Sequence, residues 1–316
     1  MNSCSRATCY APDTGCSLGF LDRSKCPSWS GAELSGTEDT SRVDDVLMPW
    51  SARALGLVDA GFVAGRGKPF VVGIVGPENA GKTTLLASWF LLLSRGLASK
   101  IDRRFAGSYS FEGWETVAGT MRYHPGYLPQ FPPHTSSKEG RAPGLLHLAF
   151  RHDADPVRSY LFADAPGEWF KKWAVDSQGP ESAGAAWIAQ HADLFLLTAD
   201  RDALAGEHRG AARGTLQLIA KRLMSERRGR PLALVWTKAD VSISKEMETA
   251  VRNAVFTMSE VGEFAVSVVG NDQNNGIGAG LLELLQWTLD CKRNTAVLPV
   301  VDRGTCDPLF MFGMRR

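Results

Sequence analysis

No stretch of the chain is apolar over the roughly 20 residues that a membrane-spanning helix requires. The longest apolar run, Leu85 to Leu93, is broken by Ser88. Nor does the chain open on a basic segment followed by an apolar one, the pattern of a secretory signal, so a cytoplasmic location is expected. Charge of one sign is not in excess: the net charge is +1, which leaves no electrostatic footprint for nucleic acid. Internal repeats are not evident. Cysteine is sparse after Cys26, with only Cys291 and Cys306, which read as ordinary core or tail residues.

What is present fits a globular protein. The 316 residues suffice for one large or two small domains, and 44% hydrophobic against 22% charged content argues against disorder. Four cysteines, Cys4, Cys9, Cys16 and Cys26, crowd the start. In a reducing compartment such a cluster points to a metal site rather than to disulfides. Turn formers lie among them (Pro12, Asp13, Gly15, Gly19, Pro27), as a short loop folded around one tetrahedral zinc ion requires. The spacings of four, six and nine residues contain no C-x-x-C knuckle, and a tail with free thiols is the alternative. Residues 1–29 are thus set apart as a Cys-rich module, 30–68 as a polar linker and packing arm, 69–291 as the main domain and 292–316 as a tail.

Along the main domain, short apolar runs alternate with helical stretches, the mark of an α/β sheet. Strands are predicted at 69–75, 145–151, 159–163, 193–199, 231–236 and 263–269, and helices at 82–95, 183–191, 207–228, 244–260 and 278–291. Only residues 152–158 join the second and third strands, too few for a crossover helix, so these two should pair antiparallel. The other links carry a helix and predict right-handed crossovers between parallel strands. The expected fold is α/β: a six-stranded, mostly parallel sheet with one antiparallel edge strand.

The stretch Gly76-Pro77-Glu78-Asn79-Ala80-Gly81-Lys82-Thr83 matches G-x-x-x-x-G-K-[ST]. A buried strand (Val71, Val72, Gly73, Ile74) leads into it and a helix starting at Thr84 leads away. That is the setting of a phosphate loop, in which backbone N–H groups wrap phosphates at a helix N-terminus that favours anions. Gly76, Asn79, Ala80, Gly81, Lys82, Thr83 and Thr84 are therefore candidate nucleotide contacts. Lys82 would reach the β- and γ-phosphates, and the Thr83 hydroxyl would take a position on Mg²⁺.

Two further strand ends carry chemistry. Tyr160–Ala163 runs into Asp164-Ala165-Pro166-Gly167. A carboxylate there can hold Mg²⁺ through a water, and Gly167 leaves its N–H free to meet a γ-phosphate. Loss of that phosphate would then release the segment that follows. Pro231–Trp236 ends in Thr237-Lys238-Ala239-Asp240. The Asp240 carboxylate can accept from N1–H and the exocyclic amine of guanine, which adenine does not offer in that arrangement. The Lys238 stem would lie over the base.

Together, Gly76–Thr83, Asp164–Gly167 and Thr237–Asp240 resemble the motifs of the Ras-like, translation-factor-related P-loop GTPases, over residues 69–291. A narrower likeness spans almost the whole chain. The Cys-rich start ending Cys26-Pro27-Ser28-Trp29, followed by a linker and the loop ending Asn79-Ala80-Gly81-Lys82-Thr83, is similar to the double-GTPase families of bacterial conflict systems. That resemblance implies GTP/GDP and Mg²⁺ as ligands, a partner GTPase or effector, and a role in anti-phage defence.

It also implies a switch threonine on Mg²⁺ between residues 96 and 145. Thr135, in the Pro-rich loop Phe131-Pro132-Pro133-His134-Thr135, is chosen over Thr116 and Thr120 because it lies nearest the antiparallel strand. Ser267-Val268-Val269 takes the place of the base-capping loop, by position only. Where many relatives carry a water-orienting Gln after the Gly, this chain has Glu168. Two outcomes stay open. The chain is a slow or partner-stimulated GTPase, with Lys82, Gly167, Glu168 and Thr135 at the reacting end, or it is a GTP-binding assembly module with little hydrolysis. Arg201 and Arg209 are the candidates for a cation supplied within the chain, each with a solvated surface role as the alternative.

Overall fold

The computed structural model describes residues 54–65, 67–122, 125–126, 130–132, 142–152, 156–255, 261–269, 278 and 280–293, and the backbone of residues 3–4 and 29–30. The chain divides into two compact units, Met1–Leu47 and Met48–Arg316. In the first unit, strands β1 (Ser3–Cys4) and β2 (Trp29–Ser30) pair antiparallel, with Cys4 opposite Trp29. The pairing brings together the two ends of the Cys-bearing stretch. Cys9, Cys16 and Cys26 lie outside the described residues.

The second unit is built on a seven-stranded sheet in the order β4-β5-β6-β3-β7-β8-β9. Its members are β3 (Phe70–Val75), β4 (Arg104–Gly107), β5 (Gly144–Arg151), β6 (Arg158–Asp164), β7 (Leu194–Asp200), β8 (Leu232–Thr237) and β9 (Gly262–Ala265). β6, β3, β7, β8 and β9 are mutually parallel, and β5 is antiparallel to both of its neighbours. The mostly parallel sheet is the one expected. It gains a seventh strand, β4, so the antiparallel strand stands one place in from the edge.

β3 shows how residue order makes the two layers. All six of its residues are buried, as in a strand covered on both faces. Because side chains alternate, Phe70, Val72 and Ile74 enter one core, with helices α2 (Lys82–Ser94), α3 (Phe111–Ala118) and α9 (Leu281–Asp290). Val71 and Val75 enter the other core, with α1 (Leu57–Ala64), α4 (Gly167–Val175), α5 (Ala183–His191), α7 (Arg209–Glu226) and α8 (Lys245–Val255). A short helix α6 (Arg201–Ala205) follows β7.

Two anchors matter for the site. Leu55 and Leu145 exchange backbone hydrogen bonds of 2.8 and 3.0 Å, which fastens the segment before α1 to β5. After α9, Arg293 pairs with Asp193, bonds the Lys68 and Pro69 carbonyls and lies over the Phe70 ring. The end of α9 is thereby pinned to the start of β3. α3 occupies part of the long stretch between the first two predicted strands. Its Trp114 is fully buried, stacks on Phe90 at 5.7 Å and donates to the His147 carbonyl, so this aromatic fills core.

Candidate functional site: a nucleotide cavity at the strand C-termini

The parallel strands β3, β6, β7 and β8 end on one side of the sheet, where an open α/β sheet binds ligands. A cavity of about 500 Å³ lies there, lined among others by Asn79–Leu85, Gly167, Lys238 and Asp240. Three sequence motifs that are far apart in the chain thus face one cavity.

At the phosphate end, the loop between β3 and α2 has little freedom. A Cβ on Gly76 would come 2.0 Å from the Thr198 hydroxyl, so only glycine passes there. Gly81 caps α2 without a side-chain acceptor for the first-turn N–H groups, which leaves them for an anion. Lys82 is buried and donates to the Pro77 carbonyl at 2.6 Å and the Gly76 carbonyl at 3.2 Å. Burial lowers its pKa to about 8, with Asp164 and Glu78 opposing that shift. The Thr83 hydroxyl lies 3.2 and 3.3 Å from the two Asp164 carboxylate oxygens. Burial raises the Asp164 pKa against the pull of Lys82, Thr83 and the Ala165 N–H. Each charged group is therefore pushed toward neutrality, and each gains from a ligand of opposite charge: phosphate for Lys82, a divalent cation for Asp164.

Gly167 begins α4 directly on this loop. A Cβ there would stand 2.2 Å from the Glu78 nitrogen and 2.4 Å from the Pro77 carbonyl carbon. Glu168, on the same first turn, is half-buried and does not line the cavity. Thr135 lies outside the described residues; of its loop, Phe131 and Pro132 line the cavity.

At the other end, Thr237 closes β8 and donates to the Ala199 carbonyl at 3.3 Å. Ala239 N–H donates to the Val266 carbonyl, tying this turn to the segment after β9. Ser267 Oγ sits 2.7 Å from Asp240 Oδ1 and 2.6 Å from the Val269 carbonyl. Ser267, assigned by position, is thereby brought against the carboxylate proposed to read the base, while Val268 and Val269 line the cavity. The Lys238 ammonium is held by Asp200 at 2.8 Å and Asp202 at 3.3 Å.

Neither arginine singled out as a cation for the phosphates lines the cavity. Arg201 pairs with Glu248 at 3.0 Å and lies over the Trp236 ring, so it braces β8 and α8 instead. Arg209 is exposed at the start of α7. Asp200, Asp202 and Thr198 stand in no motif of the sequence. Asp200-Arg201-Asp202 follows a predicted strand, but its place beside Lys238 comes from the pairing of β7 with β8. Among the described residues no cluster of three or more His, Cys, Asp or Glu is arranged to hold a metal by itself. Thr83 and Asp164 still fit Mg²⁺, which keeps waters and takes phosphate oxygens beside one or two protein ligands.

Phosphate loop, convergent hydroxyl and carboxylate, and a mostly parallel sheet define an α/β P-loop nucleotide-binding protein. The model of the Double-GTPase 2 family matches residues 70–288, and the chain belongs to that family. It is thus a GTP-binding P-loop GTPase by family. No curated protein sequence matches the chain. Among solved structures, it is similar to a Plasmodium falciparum protein described as nucleolar GTP-binding protein 1, at 14% identity and a TM-score of 0.39, covering 70% of this chain and 86% of that one. It is also similar to the Ski7 GTPase-like domain of S. cerevisiae bound to GDP and inorganic phosphate, at 15% identity and TM-score 0.37, covering 74% of this chain and 53% of that one. A third is a bacterial selenocysteine-specific elongation factor, at 13% identity and TM-score 0.33, covering 70% of this chain and 28% of that one. No helix among the described residues is long and apolar enough to cross a membrane.

Proposed function

We propose that the chain binds GTP with Mg²⁺ and hydrolyses it to GDP, serving as a nucleotide-dependent switch. The observation that supports this is that Asp240, beside Ser267, lines the same cavity as Lys82 and Thr83. Lys82 and the first N–H groups of α2 would hold the phosphates. Thr83 and Asp164 would hold Mg²⁺, which when bound supplies neutralisation of the phosphate oxygens. Asp240 would accept from guanine, and Lys238 would lie against the base.

A second reading has support in Glu168, which stands apart from the cavity lining in the position of a water-orienting residue. In that reading GTP is held for assembly and barely cleaved, or cleavage awaits a residue from a partner. Single-turnover hydrolysis separates the two: the switch reading expects measurable GTP cleavage that requires Mg²⁺. Tight GTP binding with no turnover, alone or with a partner GTPase, would sink it. Asp240→Asn should lower GTP affinity at least tenfold and favour xanthosine triphosphate; unchanged preference would show that Asp240 does not read the base.

Zinc at Cys4, Cys9, Cys16 and Cys26, a protein partner, a cytoplasmic location and a role in anti-phage defence rest on the sequence pattern and the resemblance. Metal analysis of the chain with and without residues 1–45 tests the first. Equal zinc content in both would refute it.

A further inference from the structure

We propose, resting on the guanine-nucleotide reading, that Asp200 is a positioning residue that sets nucleotide affinity by holding Lys238 in the lining of the cavity. Asp200 closes β7 and pairs in register with Thr237, the residue before Lys238. Its side chain is 5% exposed, so its charge must be matched inside the protein. The two carboxylate oxygens have separate tasks. Oδ1 accepts from the N–H groups of Asp202 and Ala203 and caps α6. Oδ2 is 2.8 Å from the Lys238 ammonium.

Asp202 also approaches Lys238, at 3.3 Å, but its side chain is 67% exposed and water screens the pair. Of the two, Asp200 is therefore the one that restrains the lysine. The backbone at Lys238 is itself in the left-handed region, with φ of 52°, directly after β8 ends at Thr237. Burial would lower the Lys238 pKa, yet Asp200 and Asp202 outweigh it and hold the value above the ordinary one. A lysine so fixed keeps its four-carbon stem against the cavity wall that Lys238 lines. Its rotamer freedom is spent before the ligand arrives, which is the origin of preorganised affinity.

The test uses the full chain and Asp200→Asn. Asparagine caps helices as well as aspartate, so the α6 cap is kept and only the charge facing Lys238 is removed. Titration with a fluorescent GDP analogue should show about tenfold weaker binding in Asp200→Asn. In a Lys238→Met background the same change should cost nothing further, an outcome that a merely structural role would not produce. Equal affinity of Asp200→Asn and the unmodified chain would overturn the proposal. So would an undiminished loss in the Lys238→Met background. If the unmodified chain binds no guanine nucleotide, the guanine reading itself falls, and this one with it.

Discussion

Gly167 and His147 show two ways in which single residues are constrained. At Gly167 the constraint is space: Gly167→Ala would drive a methyl into the Pro77–Glu78 backbone. Overpacking of this kind costs about 1–3 kcal/mol. Because the obstructed atoms belong to the phosphate loop, calorimetric GDP affinity should fall at least tenfold, while circular dichroism stays native. At His147 the constraint is charge. It is buried on β5 beneath Tyr109, its Nδ1 accepts the Tyr109 N–H, and its Nε2 has no acceptor among the described residues. Burial lowers its pKa from 6.5 to about 4. Between those values the unfolded chain binds a proton that the folded chain does not, so stability falls as pH drops from 6.5 toward 4. The loss from this one group is about 3 kcal/mol. His147→Gln should remove that part of the acid sensitivity, read from urea midpoints at pH 7 and pH 4.5. Parallel losses in both proteins would refute the assignment.

Among the elements, α4 departs most from what the motifs alone suggest. A segment released on loss of γ-phosphate was expected after Gly167; the structure has a helix with Trp169, Phe170 and Trp173 in the core. Exposing three such rings costs roughly 5–8 kcal/mol by area. A charge-assisted hydrogen bond from a phosphate contributes about 1.5–3 kcal/mol. The smaller term cannot melt the helix, so α4 should shift as a body. Amide exchange over residues 169–175 should then be slow with GDP and with GTP analogue alike; fast exchange in one state would show melting. The spacing i, i+1, i+4 of those aromatics spells an amphipathic helix, which the turn formers Asp164, Pro166 and Gly167 before it mask. Strand ends were legible because G-x-x-x-x-G-K-T, Asp164–Gly167 and Thr237–Asp240 each follow a fully apolar run. β4 was not, since Arg104–Gly107 is short, largely exposed and defined only by its pairing with β5. Asp200 was hidden for a different reason. Its role depends on β7 lying next to β8, which no local pattern states.

At the scale of the whole molecule, the sheet joins sites that the sequence separates. β5 begins at Gly144, and Gly144 pairs in register with Asp164. One residue on, Leu145 carries the double hydrogen bond to Leu55. Removing residues 1–53 should leave GDP dissociation unchanged, whereas removing 1–56 should speed it severalfold, as stopped-flow displacement would measure. Identical rates would show that the bridge is only packing. The arrangement has a mechanical meaning. Tension on the chain ahead of Ala54 would load two hydrogen bonds at once, and the adjoining rung of the ladder pairs Gly144 with the backbone of Asp164. A pull on Leu55 would thus reach, through neighbouring backbone rungs, the strand end that carries Asp164.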